Sequence, residues 1–300
     1  MPHSPLYVLP FPAESFEVPS TDGVIARAYD FGGTGRPFVL GHATGLHTRA
    51  YAPLIEALRP KFHCFAVDVR AQGRATSPSN RNFSWEGISE DFCRGLDVLE
   101  LSGRGDVFGV GHSQGGYSLI SGERNRPGTF AGIFGFEPVI FPSTFSNGPA
   151  SNNAMALAAR RRRDVFGSRQ SAYANYRTKP PFSGIDDACL RAYVEFGFEE
   201  SADPSTGAPC VRLVCRPEDE AALFECSTTD LADHLDEIKT RVIIGCSEFT
   251  GDHFKALAPI QAERLPYGEL RMFPGRTHFG LLERCDEMAA QIIEMFDDPC

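Results

Sequence analysis

One serine, one histidine and two glutamates stand in this sequence where together they could carry out acyl transfer. Ser113 lies in Gly111-His112-Ser113-Gln114-Gly115-Gly116, a G-x-S-x-G pattern running out of the apolar stretch DVFGVGH. A sharp turn of this kind, between a strand and a helix, lifts one hydroxyl clear of a sheet edge. It needs near-absent side chains at Gly111 and Gly115 to avoid clashes. The helix that follows turns N–H groups and its positive end toward any oxygen held beside Ser113. A serine hydroxyl is a weak nucleophile near neutral pH, so it needs a base in hydrogen-bond reach and a third group to fix that base's tautomer. His278, in PGRTHFGLLE ahead of the final helical stretch, is the candidate base among eight histidines. His42 and His112 are expected to hydrogen-bond within turns beside the site, and His253 to be exposed.

The third group has two candidates. Glu137 closes AGIFGFE and Glu248 closes RVIIGCSE. Either would point a carboxylate from the carboxyl edge of a sheet, and either satisfies the chain order nucleophile, acid, base. Both cannot orient one imidazole, and the residues themselves leave the choice open. The negative charge that develops on attack calls for two backbone N–H donors. One is the amide of Gln114, directly after the nucleophile. The other comes from the loop GHATG, where Thr44 is favoured and Ala43 is the alternative.

These residues need a scaffold, and the patterning supplies one. Strand-like stretches recur at 24–31, 36–42, 62–68, 106–112 and 131–137, and return at 241–248 and 269–275. Between the third and fourth, Ile88, Phe92, Leu96 and Leu99 repeat at helical spacing. Strands alternating with amphipathic helices predict a mainly parallel sheet flanked by helices. After Glu137 the texture changes to short helices, turns and aromatics, including Tyr173, Tyr176, Phe182, Tyr193 and Phe196. Residues 138–238 therefore read as an inserted cap over the sheet end, with 1–137 and 239–300 as the core. The cap aromatics and the 138–145 stretch suggest an apolar pocket, although a small cap core would use the same aromatics.

Composition bounds the function. Hydrophobic residues at 42% and charged residues at 23% are ordinary for a globular chain and exclude a disordered one. A formal charge of -10 and a pI near 5.3 oppose a nucleic-acid partner. The basic run Arg160–Arg163 reads as a solvated helix face. The N-terminal stretch, broken by prolines, lacks the pattern of a secretory signal, and no apolar run approaches membrane-spanning length. Nine scattered cysteines without C-x-x-C spacing fit free thiols in the cytoplasm, with a Cys210–Cys215 disulfide as the alternative. No motif for a metal, nucleotide or other cofactor follows a suitable strand.

In four segments, taken in order, the chain resembles α/β-hydrolase-fold enzymes of the cap-bearing lipase, esterase and dehalogenase type, over nearly its whole length. FVLGHATG is similar to the family's H-G-x oxyanion segment, with Ala43 for glycine. FAVDVRAQGRATSP is similar to its D-x-R-G-x-G-x-S turn, with Ala71 and Gln72 for the usual glycine and histidine. GHSQGG resembles the nucleophile elbow and GRTHFGLLE the terminal histidine loop. The resemblance implies an α/β-hydrolase fold, a mostly parallel sheet flanked by helices with a mainly helical cap. It favours Glu137 as the acid, as in haloalkane dehalogenases and some lactonases, whose acid follows the sixth strand. More usual members carry it after the seventh, where Glu248 lies. The family's dehalogenases attack with an aspartate, so serine at that position implies an acyl-enzyme and a small hydrophobic ester or lactone substrate. Carbon–carbon bond hydrolases, cofactor-free lyases, haloperoxidases and non-catalytic ligand-binding relatives share the same frame.

Overall fold

In the computed structural model, which describes residues 4–142, 153–203, 206–227 and 230–297, every strand-like stretch becomes a strand of one eight-stranded sheet. The N-terminal half contributes β1 (Glu14–Pro19), β2 (Ile25–Gly33), β3 (Arg36–Gly41), β4 (Phe62–Asp68), β5 (Val107–His112) and β6 (Phe130–Phe136). The insertion carries β7 (Val165–Phe166), β8 (Phe198–Ala202) and β9 (Pro209–Leu213), and the main sheet finishes with β10 (Val242–Phe249) and β11 (Gly268–Thr277). Its strand order is β1-β2-β4-β3-β5-β6-β10-β11, with β2 antiparallel to both its neighbours and the other pairs parallel.

The near-continuous apolar strands follow from burial on both sheet faces. Along β3, Phe38 and Leu40 meet α1 (Ala52–Leu58) and α9 (Cys285–Asp297) in one core cluster. Val39, between them, points the other way, into a cluster with α2 (Trp85–Val98), α3 (Gln114–Asn125) and α8 (Asp252–Arg264). Each fully buried side chain of this size stabilises the fold by roughly 1.5–3 kcal/mol. β1 was not anticipated: in ESFEVP only Val18 is buried, so it carries almost no apolar signal.

From β3 the chain steps outward to β4 and then returns across β3 to β5. Such a reversal opens a crevice at the carboxyl ends of the two strands, where α/β sheets place ligands.

Between β6 and β10 lie α4 (Ala154–Arg160), α5 (Arg169–Arg177), α6 (Asp187–Gly197) and α7 (Pro217–Glu225). They surround a small antiparallel sheet in the order β7-β9-β8, an addition to the helical insertion expected. β7 is only two residues long and β8 mostly exposed, which explains its poor legibility. α7 fastens the insertion to the core, with the Trp85 indole N–H donating to the Leu223 carbonyl at 2.8 Å and Ser77 Oγ to Asp219 at 2.8 Å.

In the Arg160–Arg163 run, Arg160, Arg161 and Arg163 are exposed, as the charge pattern suggested, and Arg162 alone departs from it. Arg160 pairs with Glu218 and Glu225 of α7 at 3.0 and 2.7 Å. Arg162 turns inward, bonding Glu220 at 2.6 Å and the hydroxyls of Tyr176 and Tyr193, with its guanidinium over the rings of Tyr176, Phe182 and Tyr193. The acidic first turn of α7, Glu218 to Glu220, supplies the partners that the local pattern could not reveal. Cys210 and Cys215 are free thiols, so the alternative disulfide is absent.

Candidate active site

Ser113 directly follows β5 and caps the N-terminus of α3 with φ 56° and ψ -113°. A non-glycine residue there costs roughly 1–3 kcal/mol, so surrounding structure must impose it. Two bonds do so: the Ser113 amide donates to the Phe136 carbonyl at 2.9 Å, and the Gly116 amide to the Ser113 carbonyl at 3.0 Å. The glycines permit the close approach. A Cβ on Gly111 would fall 2.4 Å from the Gly115 carbonyl oxygen, and one on Gly115 2.0 Å from that of Gly41. Gly41, Gly111 and Gly115 thus let α3 begin directly against β3 and β5.

His278 follows β11, and its Nδ1 lies 2.5 Å from Glu137 Oε2. A carboxylate can only accept there, so the proton sits on Nδ1 and Nε2 is left as the basic nitrogen. The Phe254 ring stacks on the imidazole at 4.8 Å and 22°. Glu137, itself at φ 47°, accepts from the Ser247 amide at 2.7 Å and hydroxyl at 2.5 Å, and from Thr250 Oγ1 at 2.8 Å. Burial works to raise its pKa, but the hydrogen bond and charge of His278 and the two Ser247 donors outweigh it and hold the carboxyl below its ordinary value.

Glu248, the alternative acid, does not meet His278. It is exposed, and its Oε2 accepts the Gly275 amide at 2.8 Å. Side chains alternate along a strand, so with Ser247 turned toward Glu137 its neighbour must face away.

Thr44 and Gln114 come together from two loops: Thr44 Oγ1 donates to Gln114 Oε1 at 2.7 Å. The Gln114 amide opens α3 and has no partner within the helix. The Ala43 amide, the alternative donor, is already engaged with Tyr51 Oη at 3.2 Å. Gly45, at φ 76°, completes the loop with its amide on Gln72 Oε1 at 2.8 Å.

The other histidines divide. His42 bonds within its own turn, Nδ1–H to the Ala43 carbonyl at 3.0 Å, as expected. His112 does not: its Nδ1 is 2.7 Å from Tyr51 Oη and its Nε2 2.7 Å from the His278 carbonyl oxygen, so it bridges separate segments. His253 is exposed, as expected, and stands in the wall of the cavity.

That cavity, about 580 Å³, is where Ser113, His278 and Thr44 meet an apolar wall of Trp85, Phe141, Met155, Phe224, Phe254 and Phe279. Val139 and Phe141 bear out the expected apolar role of the 138–145 stretch, whose last three residues lie outside those described. The aromatics Tyr173, Tyr176, Phe182, Tyr193 and Phe196 are not in its wall; Tyr176, Phe182 and Tyr193 pack around Arg162 in the segment between β6 and β10. No Asp, Glu, Lys or Arg lines the cavity among the described residues. Among those residues no cluster of His, Cys, Asp and Glu is set to hold a metal ion, and no helix is long and apolar enough to cross a membrane.

The fold and this site define a class, and the chain belongs to the alpha/beta hydrolase family, whose model matches residues 38–291. Among solved structures it is similar to E-2-(acetamidomethylene)succinate hydrolase, at 17% identity and a TM-score of 0.75 over 95% of this chain and 100% of that one. A peroxisomal alpha-beta-hydrolase of Saccharomyces cerevisiae aligns at 17% identity and a TM-score of 0.74, covering 96% and 87%. An esterase of Rhodococcus sp. aligns at 16% and 0.67, covering 95% and 98%. At these identities the likeness is one of fold. A search of curated proteins finds no matching sequence.

Proposed function

We propose that the chain is a serine hydrolase that cleaves a small, uncharged, hydrophobic ester or lactone through an acyl-enzyme on Ser113. One observation carries this reading: a strained elbow serine and a histidine whose Nδ1 is held by a buried carboxylate open onto the same apolar cavity.

In this mechanism His278 Nε2 takes the Ser113 proton as Oγ attacks the substrate carbonyl carbon. The oxyanion is received by the amides of Thr44 and Gln114, and Glu137 stabilises the imidazolium through Nδ1. His278 then passes its proton to the leaving oxygen, leaving the acyl group on Ser113. Water, deprotonated by the same Nε2, attacks the acyl carbon and releases the acid and free Ser113. Glu137 serves as the acid in this scheme, with Glu248 outside it.

The substrate class rests on charge. A buried carboxylate on the substrate would need a cationic partner. None lines the cavity among the described residues. Arg160 and Arg162, in and just after α4, are paired with glutamates.

The test is a fluorophosphonate probe followed by a panel of p-nitrophenyl esters of increasing chain length run beside lactones. Labelling at Ser113, abolished in Ser113→Ala, together with turnover of neutral substrates is the expected result. Absence of labelling would overturn the nucleophile. Labelling without hydrolysis of any ester or lactone would overturn the substrate class.

A further inference from the structure

The mechanism above leaves two buried polar side chains without a part in it. Tyr51 ends the short helical turn Thr48–Tyr51 that leads into α1, and His112 is the residue before Ser113; neither has any exposed surface. They form one hydrogen-bonded chain between two loops of the site. The Ala43 amide donates to Tyr51 Oη at 3.2 Å, Tyr51 Oη lies 2.7 Å from His112 Nδ1, and His112 Nε2 lies 2.7 Å from the His278 carbonyl oxygen. The direction of every bond is forced. An amide N–H can only donate and a carbonyl can only accept, so the imidazole carries its proton on Nε2 and receives the phenol's on Nδ1. Burial and the nearby His278 both push the His112 pKa well down, which keeps the ring neutral and each nitrogen in a single role.

We propose that Tyr51 and His112 are positioning residues whose hydrogen-bonded chain couples the oxyanion loop to the loop that carries His278. At one end it ties down the Ala43 amide, so that the loop presents Thr44 as its free donor. At the other it anchors the backbone of the base. This inference rests on the reading of Ser113 and His278 as nucleophile and base. Its physical basis is that sub-ångström placement of donor and base sets the rate of acyl transfer, and that such placement needs a supporting layer of fixed hydrogen bonds.

Three variants separate positioning from packing. Tyr51→Phe keeps the ring and removes the hydroxyl, His112→Leu removes both nitrogens, and His112→Gln retains a donor able to reach the His278 carbonyl. Against an ester substrate, with active sites titrated and melting temperatures recorded, Tyr51→Phe and His112→Leu are expected to lower kcat about tenfold or more, with KM within about twofold. His112→Gln should recover most of the loss. A packing role would lower the melting temperature and leave kcat per active site unchanged. Nitrogen-15 spectra of the imidazoles form an arm independent of turnover: the wild-type chain should hold His112 as the Nε2–H tautomer, and Tyr51→Phe should mix the two tautomers. Wild-type kcat in Tyr51→Phe, no advantage of Gln over Leu, or an Nδ1–H tautomer would each overturn the proposal. Failure of the wild-type chain to label or turn over any ester would instead sink the hydrolase reading, and the spectra would still decide whether the chain of bonds exists.

Discussion

The carboxylate of Glu137 is crowded with donors: an imidazole, an amide and two hydroxyls converge on its two oxygens. Glu137→Gln removes the charge and one acceptor, and is expected to lower kcat by about 10²–10⁴-fold, whereas Glu248→Gln should stay within about twofold, as steady-state ester turnover would reveal. The same carboxylate links stability to pH. Its pKa in the folded chain is below the ordinary 4.5, so its stabilisation is complete above that value and fades as the pH falls through the depressed one. The gap in melting temperature between wild type and Glu137→Gln should therefore be widest near neutrality and close in acid below 4.5. Ser113 and His278 were legible because a glycine-framed turn and a histidine loop are local patterns. Ser247, Thr250 and Tyr51 were not, because each acts across a long sequence separation through an ordinary hydroxyl. The choice of Glu137 over Glu248 came from resemblance, and the geometric reason, strand alternation at Ser247, needed the register of β10.

At the scale of elements, the elbow depends on α3 starting in contact with β3. Gly115→Ala would bring a methyl to 2.0 Å from the Gly41 carbonyl oxygen, with backbone on both sides, and should destabilise the fold by about 3 kcal/mol or more, measurable by denaturant unfolding. The segment between β6 and β10 has its own keystone in Arg162. Arg162→Met would strand Glu220, whose Oε1 would lie 2.2 Å from a Cβ on Gly45, so the carboxylate sits directly on the oxyanion loop. A loss of about 3–5 kcal/mol is expected from a buried carboxylate left without its cation, against less than about 0.5 for the exposed Arg161→Ala. Thermal melts of the two variants give that comparison directly. The buried parallel strands were readable as apolar runs bounded by turns. β1 and β8 were not, because exposed strands alternate poorly, and the burial of Arg162 depended on α7, more than fifty residues further along the chain.

For the whole molecule, the charge of -10 and the lack of Asp, Glu, Lys or Arg among the described lining residues act in the same direction, both disfavouring an anionic substrate. A neutral ester is expected to exceed its carboxylate-bearing analogue by about a hundredfold in kcat/KM, a difference on the scale of one unpaired buried polar group. Equal rates for the two would sink the uncharged-substrate reading. The interruption of the main sheet between β6 and β10 could be read from texture alone, because strand spacing lapses after Glu137 and resumes near 241. How the insertion is fastened could not, since one tether joins Trp85 to the carbonyl of Leu223, far along the chain. That tether has an optical consequence. Trp85 is the single tryptophan of the chain, it borders the cavity beside Ser113, and its indole N–H is bound to the Leu223 carbonyl of α7. Its fluorescence therefore reports one place only, and a shift in emission maximum on adding a ligand would read out cavity occupation or loss of the bond to Leu223 without any label.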